Sequence, residues 1–307
     1  MSAEESAAFV FDRASVRRHR DRAAAGLAQY DFLLREVADR LADRLLDFAR
    51  PFPMALDLGC HDGTFAAVSQ GRGGIEHLVQ TDLSPAMLSG AKGHRVVCDE
   101  EFLPFATSRF DLVLSNLTLH WINDLPGALV QIRHALKPDG LFLAAILGEE
   151  TLTELRQSLL AAEAEVSGGA SPRVSPFATL RDAGSLMQRA GFALPVIDND
   201  RLTLTYGDPF ALMRELRGLG EANAVTQRDR RPARRELFAR AAAHYHDRFA
   251  DADGRVPATF DVIYLTGWAP HEGQQKPLKP GSAAARLADA LGAVEQPAGD
   301  KAKPNFE

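Results

Sequence analysis

Three acidic residues close three apolar runs. Asp57 stands in Ala55-Leu56-Asp57-Leu58, Asp82 in Leu78-Val79-Gln80-Thr81-Asp82, and Asp99 in Val96-Val97-Cys98-Asp99. The first run passes through Gly59-Cys60-His61-Asp62-Gly63 into Thr64-Phe65-Ala66-Ala67-Val68. That order is strand, glycine turn, helix, the opening of a nucleotide-type βαβ unit. A G-x-G-x-x-G turn offers backbone amides to a pyrophosphate. Here the pattern is D-x-G-x-x-x-G, and a carboxylate at its mouth repels phosphate and attracts a cation. S-adenosylmethionine, with a sulfonium, an ammonium and no phosphate, suits such a mouth. Asp82 can accept from both ribose hydroxyls, each bond worth roughly 1.5–3 kcal/mol to a charged acceptor. Asp99 suits an adenine amino group. Ser115 and Asn116 end a fourth apolar run and would face the reacting end of the cofactor, since ligands in open α/β sheets lie beyond the strands' carboxyl ends. His120 and Trp121 follow as candidates for the substrate pocket. His61 occupies a turn position where a small residue fits more easily, so its ring either enters the site or is held away from it.

These residues need a sheet to hold them. The pattern predicts strands at 54–58, 76–82, 94–98, 110–115 and 140–147, with helices near 63–70, 84–92 and 125–136 between them. Ser84-Pro85 reads as an N-cap followed by proline at the first helical position. Alternation of this kind predicts an α/β fold with a mostly parallel, doubly wound sheet. Before it, residues 30–49 form an amphipathic pattern through Leu33, Leu34, Val37, Leu41, Leu45 and Phe48, ended by Pro51 and Pro53. After it, helical patterns recur at 151–165, 179–190, 208–219 and 232–249, broken by Gly168-Gly169-Ala170-Ser171-Pro172. Two late runs, 201–206 and 258–268, alternate as strands. The organisation expected is an N-terminal arm and helix (1–50), a cofactor-binding core (51–150), a helical lid with the final strands (151–270), and a mostly irregular tail (271–307), disordered from about 294.

Composition narrows the function classes. The chain has 307 residues, 46% hydrophobic and 25% charged, with a net charge of −6. An acidic balance does not favour nucleic acid. Two cysteines, Cys60 and Cys98, are too few for a disulfide framework or a zinc site. His19-Arg20-Asp21 matches half of an iron triad, but without a rigid sheet or a third ligand, so no metal is expected. No apolar run reaches 18 residues, so no transmembrane segment is expected, and peripheral membrane contact stays open. Glu4 and Glu5 argue against a secretory or transit leader, and a cytoplasmic protein is expected.

The chain resembles the class I S-adenosylmethionine-dependent methyltransferases through Asp57-Leu58-Gly59-Cys60, Asp82-Leu83-Ser84-Pro85-Ala86-Met87-Leu88, Phe110-Asp111-Leu112-Val113 and Leu136-Lys137-Pro138-Asp139-Gly140. The resemblance implies a seven-stranded Rossmann-like sheet whose last strand is reversed. It implies S-adenosylmethionine as cofactor, held by Asp57, Gly59, Cys60, His61, Gly63, Asp82, Leu83, Asp99, Glu100 and Ser115. The family has glycine where His61 stands. A narrower resemblance is to complex I assembly factors that act as arginine hydroxylases. It is carried by Phe11-Asp12-Arg13, Asp99-Glu100-Glu101-Phe102, Leu119-His120-Trp121-Ile122-Asn123-Asp124, Leu216-Arg217-Gly218-Leu219-Gly220-Glu221-Ala222-Asn223 and His271-Glu272-Gly273-Gln274. Malonyl-carrier-protein O-methyltransferases share the Leu-His-Trp-like segment and the pattern at 216–220.

Three readings stay open. The chain modifies an arginine on a complex I subunit, by methylation or hydroxylation; it methylates a carrier protein or small molecule; or it is a non-catalytic assembly chaperone. The first expects a protein substrate and an acidic mouth from Glu100, Glu101, Glu149 and Glu150. The second expects a basic docking patch from Arg228, Arg230, Arg231, Arg234 and Arg235.

Overall fold

The computed structural model describes residues 9–169, 171–275, 286–294 and 299. Asp12 starts the first helix, α1 (Arg13–Ala23), by accepting a hydrogen bond from the Ser15 amide. A 3-10 turn over Ala24–Gln29 leads into α2 (Phe32–Leu45). α2 buries Leu33, Leu34, Val37, Ala38, Leu41, Ala42 and Leu45, one stripe at three- and four-residue spacing. Full burial of each leucine is worth about 1.5–3 kcal/mol, enough to fix this helix against the sheet.

The α/β alternation follows as β1 (Phe52–Leu58), α3 (Thr64–Ser69), β2 (Ile75–Asp82), α4 (Pro85–Leu88), β3 (His94–Val97) and β4 (Phe110–Asn116). Next come a 3-10 turn (Leu119–Trp121), α5 (Leu125–Ala135) and β5 (Leu136–Leu147). Ser84 caps α4 by accepting from the Met87 amide, and Asp124 caps α5 by accepting from Gly127. After β5 come α6 (Thr153–Ser167), α7 (Leu180–Arg189), β6 (Ala193–Tyr206), α8 (Pro209–Leu219), α9 (Arg235–Phe249) and β7 (Val256–Trp268).

The sheet has seven strands in the order β3-β2-β1-β4-β5-β7-β6. The first five are parallel, and β7 runs antiparallel between β5 and β6. This is the doubly wound class I methyltransferase architecture with its last strand reversed. One apolar core packs α2, α6 and α9 on one face, and a second packs α5 and α7 on the other. Sequence order reverses between β1 and β4, and the crevice at that switch point is where such sheets bind ligands.

Two local expectations change. Pro53 lies inside β1, not after α2 alone. Pairing of β1 with β4 begins only at Ala55, so the missing proline N–H costs no bond on that side. β6 begins at Ala193, eight residues before the expected strand. Its polar stretch Asp198-Asn199-Asp200 hid it. The structure turns Asp198 and Asp200 toward Arg44 and Arg40 of α2, each at 2.9 Å.

A second compact unit spans Glu272–Glu307 and carries a short helix, α10 (Leu287–Leu291). Most of the tail expected to be disordered lies outside the described residues.

Candidate functional site

β1 delivers Asp57 to the turn, where Gly59, His61 and Gly63 all have positive φ, at 75°, 55° and 88°. Gly59 must be glycine for space as well as angle. A Cβ there would sit 2.2 Å from Thr118 Cγ2. His61 holds a left-handed conformation that costs a side-chain-bearing residue roughly 1–2 kcal/mol. Two bonds hold it there. Its amide donates to Asp82 Oδ2 at 3.1 Å, and its ring Nε2 meets the Asn116 carbonyl at 3.0 Å. The ring is buried, and burial followed by nearby Arg20 pushes its basicity down, so it is a neutral imidazole.

Asp57 is fully buried, and neither carboxyl oxygen has a hydrogen-bond partner. Burial, then the neighbouring Asp82, raises its pKa well above the ordinary carboxyl value. Burial without a partner disfavours its ionised form, and a donor or a cation placed beside it would favour ionisation.

Asp82 differs sharply. Its Oδ1 accepts from the Ser84 amide at 2.8 Å, and its Oδ2 from the His61 amide. Arg20 of α1 sits across both oxygens, Nη1 lying 3.4 and 3.3 Å away. Arg20 is itself 1% exposed. The same Nη1 donates to Glu100 Oε1 at 3.0 Å, and Nη2 reaches Thr118 Oγ1 at 3.4 Å. Arg13, about two turns nearer the start of α1 on the arm, pairs with Asp99 at 2.6 Å and with Glu100, and lies 3.8 Å from Glu101. Burial would raise the Glu100 carboxyl, but Arg20 and Arg13 outweigh it and hold the group below its usual value.

The remaining predicted residues divide. Ser115 is buried and donates to the Leu58 carbonyl at 2.7 Å, stapling β4 to β1 instead of facing a reacting group. Asn116 uses its amide nitrogen on the Leu34 carbonyl at 2.9 Å and keeps Oδ1 unpartnered. Cys60 packs with Leu88 and Ala91, and burial pushes its thiol up, so it is inert. Leu83 packs against the cluster of Phe11, Val16 and Trp121. His120 Nε2 meets Glu221 Oε2 at 3.1 Å, and Trp121 Nε1 donates to the same oxygen at 2.9 Å.

Beside this crevice lies a cavity of about 860 Å³ between α1, the lid and the ends of β5 and β7. Its wall is largely apolar, with Leu147, Leu155 and Phe260 among its residues. Trp121 lines it. Glu221 is the acidic side chain on its wall. Burial would raise that carboxyl, but His120, Trp121 and Arg20 lower it further, so it stays ionised. Arg22, Arg214 and Arg217 also line the cavity, exposed and without a carboxylate partner among the described residues.

The expected acidic mouth is corrected at Glu100 and Glu101, while Glu149 and Glu150 are exposed beyond the end of β5. Glu100 and Glu101 face the arm, where Arg13, Arg20 and Asn123 engage them. Of the expected basic patch, Arg228 is bound to Asp12, Ser15 and the Val225 carbonyl and Arg231 pairs with Asp229, while Arg230, Arg231, Arg234 and Arg235 are exposed. Arg13, Arg20, Thr118 and Glu221 join the crevice and the cavity wall without a sequence signal that marks them for that role: Arg13 and Glu221 lie within the motifs Phe11-Asp12-Arg13 and Leu216–Asn223, and Arg20 sits in the middle of His19-Arg20-Asp21. Among the described residues no cluster of metal-ligating side chains occurs.

The acceptors present fit S-adenosylmethionine in chemistry. A buried, unpartnered Asp57 suits a cation, and Asp82 and Asp99 stand at successive strand ends. Among the described residues no helix is long and apolar enough to cross a membrane.

Comparison with known proteins agrees with this geometry. A methyltransferase domain family matches residues 56–144. The chain is 45% identical over 287 residues to the mitochondrial arginine-hydroxylase NDUFAF5 of Danio rerio, covering 91% of this chain and 89% of that protein. It is 38% identical over 280 residues to the malonyl-[acyl-carrier protein] O-methyltransferase of Laribacter hongkongensis, covering 86% of this chain and 91% of that one. In fold it is similar to Haemonchus contortus phosphoethanolamine N-methyltransferase 2 in complex with S-adenosyl-L-methionine. That match has a TM-score of 0.53 at 17% identity, over 83% of this chain and 60% of the other. The cytoplasmic expectation is corrected by these relatives, since the arginine hydroxylases are named as mitochondrial. Glu4 and Glu5, on which that expectation rests, lie outside the described residues.

Proposed function

The chain belongs to the class I S-adenosylmethionine-dependent methyltransferase family that includes these arginine hydroxylases and carrier-protein methyltransferases, and from that premise we propose that it modifies a protein arginine during assembly of respiratory complex I. It is an enzyme of that superfamily, and its cofactor is S-adenosylmethionine. Asp57, Asp82 and Asp99, with the turn from Gly59 to Gly63, are the residues that would hold it. The division into arm, core, lid and tail belongs to the same reading. When bound, the cofactor supplies an electrophilic methyl group on a sulfonium. The chain's own part is to exclude water and to orient the acceptor. Methylation then needs an acceptor nitrogen that gives up a proton. Hydroxylation needs an oxidant as a further reactant.

One observation carries the arginine reading. Glu221 is the acidic side chain on a largely apolar cavity wall, lowered in pKa and held by His120 and Trp121 with lone pairs left over. A guanidinium entering there finds a planar, charged partner. A second reading, O-methylation of a malonyl-carrier protein, is favoured by Arg22, Arg214 and Arg217 on the same wall, which suit a carboxylate and an acidic carrier. Charge swaps separate them. On the arginine reading Glu221→Gln abolishes modification and Arg214→Glu leaves it intact; the carrier reading requires the reverse. Rescue of a biotin auxotroph lacking its carrier-protein methyltransferase, without any effect on complex I, would defeat the arginine reading.

A further inference from the structure

Asp82 has no free acceptor site. A carboxylate offers about four lone-pair positions. The Ser84 amide takes one, the His61 amide a second, and Arg20 Nη1 lies across both oxygens. Other acceptors of the crevice are also engaged by the chain itself. Thr118 Oγ1 donates to the Gly59 carbonyl at 3.0 Å, and the His61 ring meets the Asn116 carbonyl. Thr118 links these contacts, since its hydroxyl lies 3.4 Å from both Arg20 Nη2 and His61 Nε2. Arg20, His61 and Thr118 thus fill the crevice as one connected set of donors. The Gly59 surface that a bare glycine would leave open is covered by the Thr118 side chain.

We propose that Arg20 is a built-in competitor for the ribose acceptor, and that cofactor entry withdraws it from Asp82 and shifts α1, thereby coupling the cofactor crevice to the acceptor cavity. Ribose hydroxyls can reach Asp82 only when Arg20 gives up its place. Withdrawal is inexpensive because the guanidinium keeps a second partner. Glu100 lies closer to Nη1 than either Asp82 oxygen. The coupling follows from the faces of one helix. Arg20 points into the crevice, while His19, Arg22 and Ala23 of α1 line the 860 Å³ cavity. A helix turn that frees Asp82 must therefore change the cavity wall. The rest of the arm is anchored through the Asp12 amide to the Ala224 carbonyl and through Phe11 to Asn123, so the change is a local shift and not a release. A competitor that leaves one molecule in ten open weakens apparent affinity about tenfold. The inference rests on the family's cofactor and is independent of which acceptor the cavity takes.

Calorimetry with S-adenosylhomocysteine, together with hydrogen exchange over residues 13–23, tests it on the full chain. Arg20→Gln should bind this probe at least tenfold more tightly than the wild type. Saturation of the wild type should speed exchange of the α1 amides. Binding by Arg20→Gln where the wild type shows none supports the proposal equally. Weaker binding by Arg20→Gln would make Arg20 a holding residue and overturn it, as would failure of both proteins to bind. Should Arg20→Gln not fold, Thr118→Ala and the wild-type exchange decide. Tighter binding by Thr118→Ala with faster α1 exchange supports the proposal, and unchanged or slower exchange in the wild type defeats it.

Discussion

The crevice at the ends of β1 and β2 and the cavity under the lid share the helix α1, yet they are built on opposite principles. In the crevice, charged groups are buried and satisfied by one another, as with Arg20 between Asp82 and Glu100. In the cavity the wall is largely apolar; Arg173 is paired with Glu163, while Arg22, Arg214 and Arg217 stand exposed without a carboxylate partner among the described residues. The first arrangement trades desolvation against pairing and makes each partner indispensable to the others. The second leaves charge available for an incoming molecule at little structural cost. A region that recognises one invariant cofactor can be closed by the protein's own groups. A region that chooses an acceptor must keep some of its groups free.

Substitutions should separate the two regions by size of effect. Arg20→Ala leaves Asp82 buried without its cation and Glu100 with Arg13 alone, and should cost about 3–5 kcal/mol of stability, read by urea unfolding. A loss below about 1 kcal/mol would mean that the crevice charges are solvated and that the contrast is false. His61→Gly removes a left-handed side-chain-bearing residue worth roughly 1–2 kcal/mol of strain. It also uncaps the Asn116 carbonyl. Cofactor affinity measured by calorimetry should rise, and unchanged affinity would show that the ring does not compete. Arg217→Ala on the cavity wall should shift stability by no more than about 0.5 kcal/mol, since the side chain is exposed and unpaired. A larger shift in its melting temperature would place that arginine in the fold and not in recognition.

Acidity sharpens the comparison further. Glu100 and Glu221 have folded pKa values below their unfolded ones, so the stability they contribute is present above the ordinary glutamate range and is lost as pH falls through the folded values. Asp57 has the opposite sign. Its folded pKa is raised, so its contribution is present below the ordinary aspartate range and is lost as pH rises through the folded value. Asp57→Asn should remove the fall in stability that sets in as pH rises above the ordinary aspartate range, and leave the profile below that range unchanged. Cofactor binding that ionises Asp57 should release a proton, measurable as a buffer-dependent binding heat. No buffer dependence would remove Asp57 from the site.

Much of the fold was legible because the parallel strands β1, β4 and β5 are largely buried and read as apolar runs, with β2 buried at its carboxyl end, between capped helices. The early half of β6 was not, because an edge strand can satisfy Asp198 and Asp200 with arginines from a distant helix. The strand-end acids were legible for the same reason, since β1, β2 and β3 fix where Asp57, Asp82 and Asp99 emerge. Their partners were not. Arg20 lies on a helix 62 residues before Asp82, and Glu221 lies 100 residues after Trp121. A one-dimensional pattern carries the period of each element but not which helix closes over which strand end. Ser115 shows the converse error, a residue at the right strand end whose hydroxyl turns into the sheet.

The central claim is modification of a protein arginine, and mass spectrometry of respiratory complex I tests it most directly. Complex I from cells that carry this chain should hold an arginine bearing one added methyl or one added oxygen. Cells lacking the chain should show that same arginine unmodified, and return of the Glu221→Gln variant should not restore it. Identical arginine modification in both kinds of cell would contradict the claim.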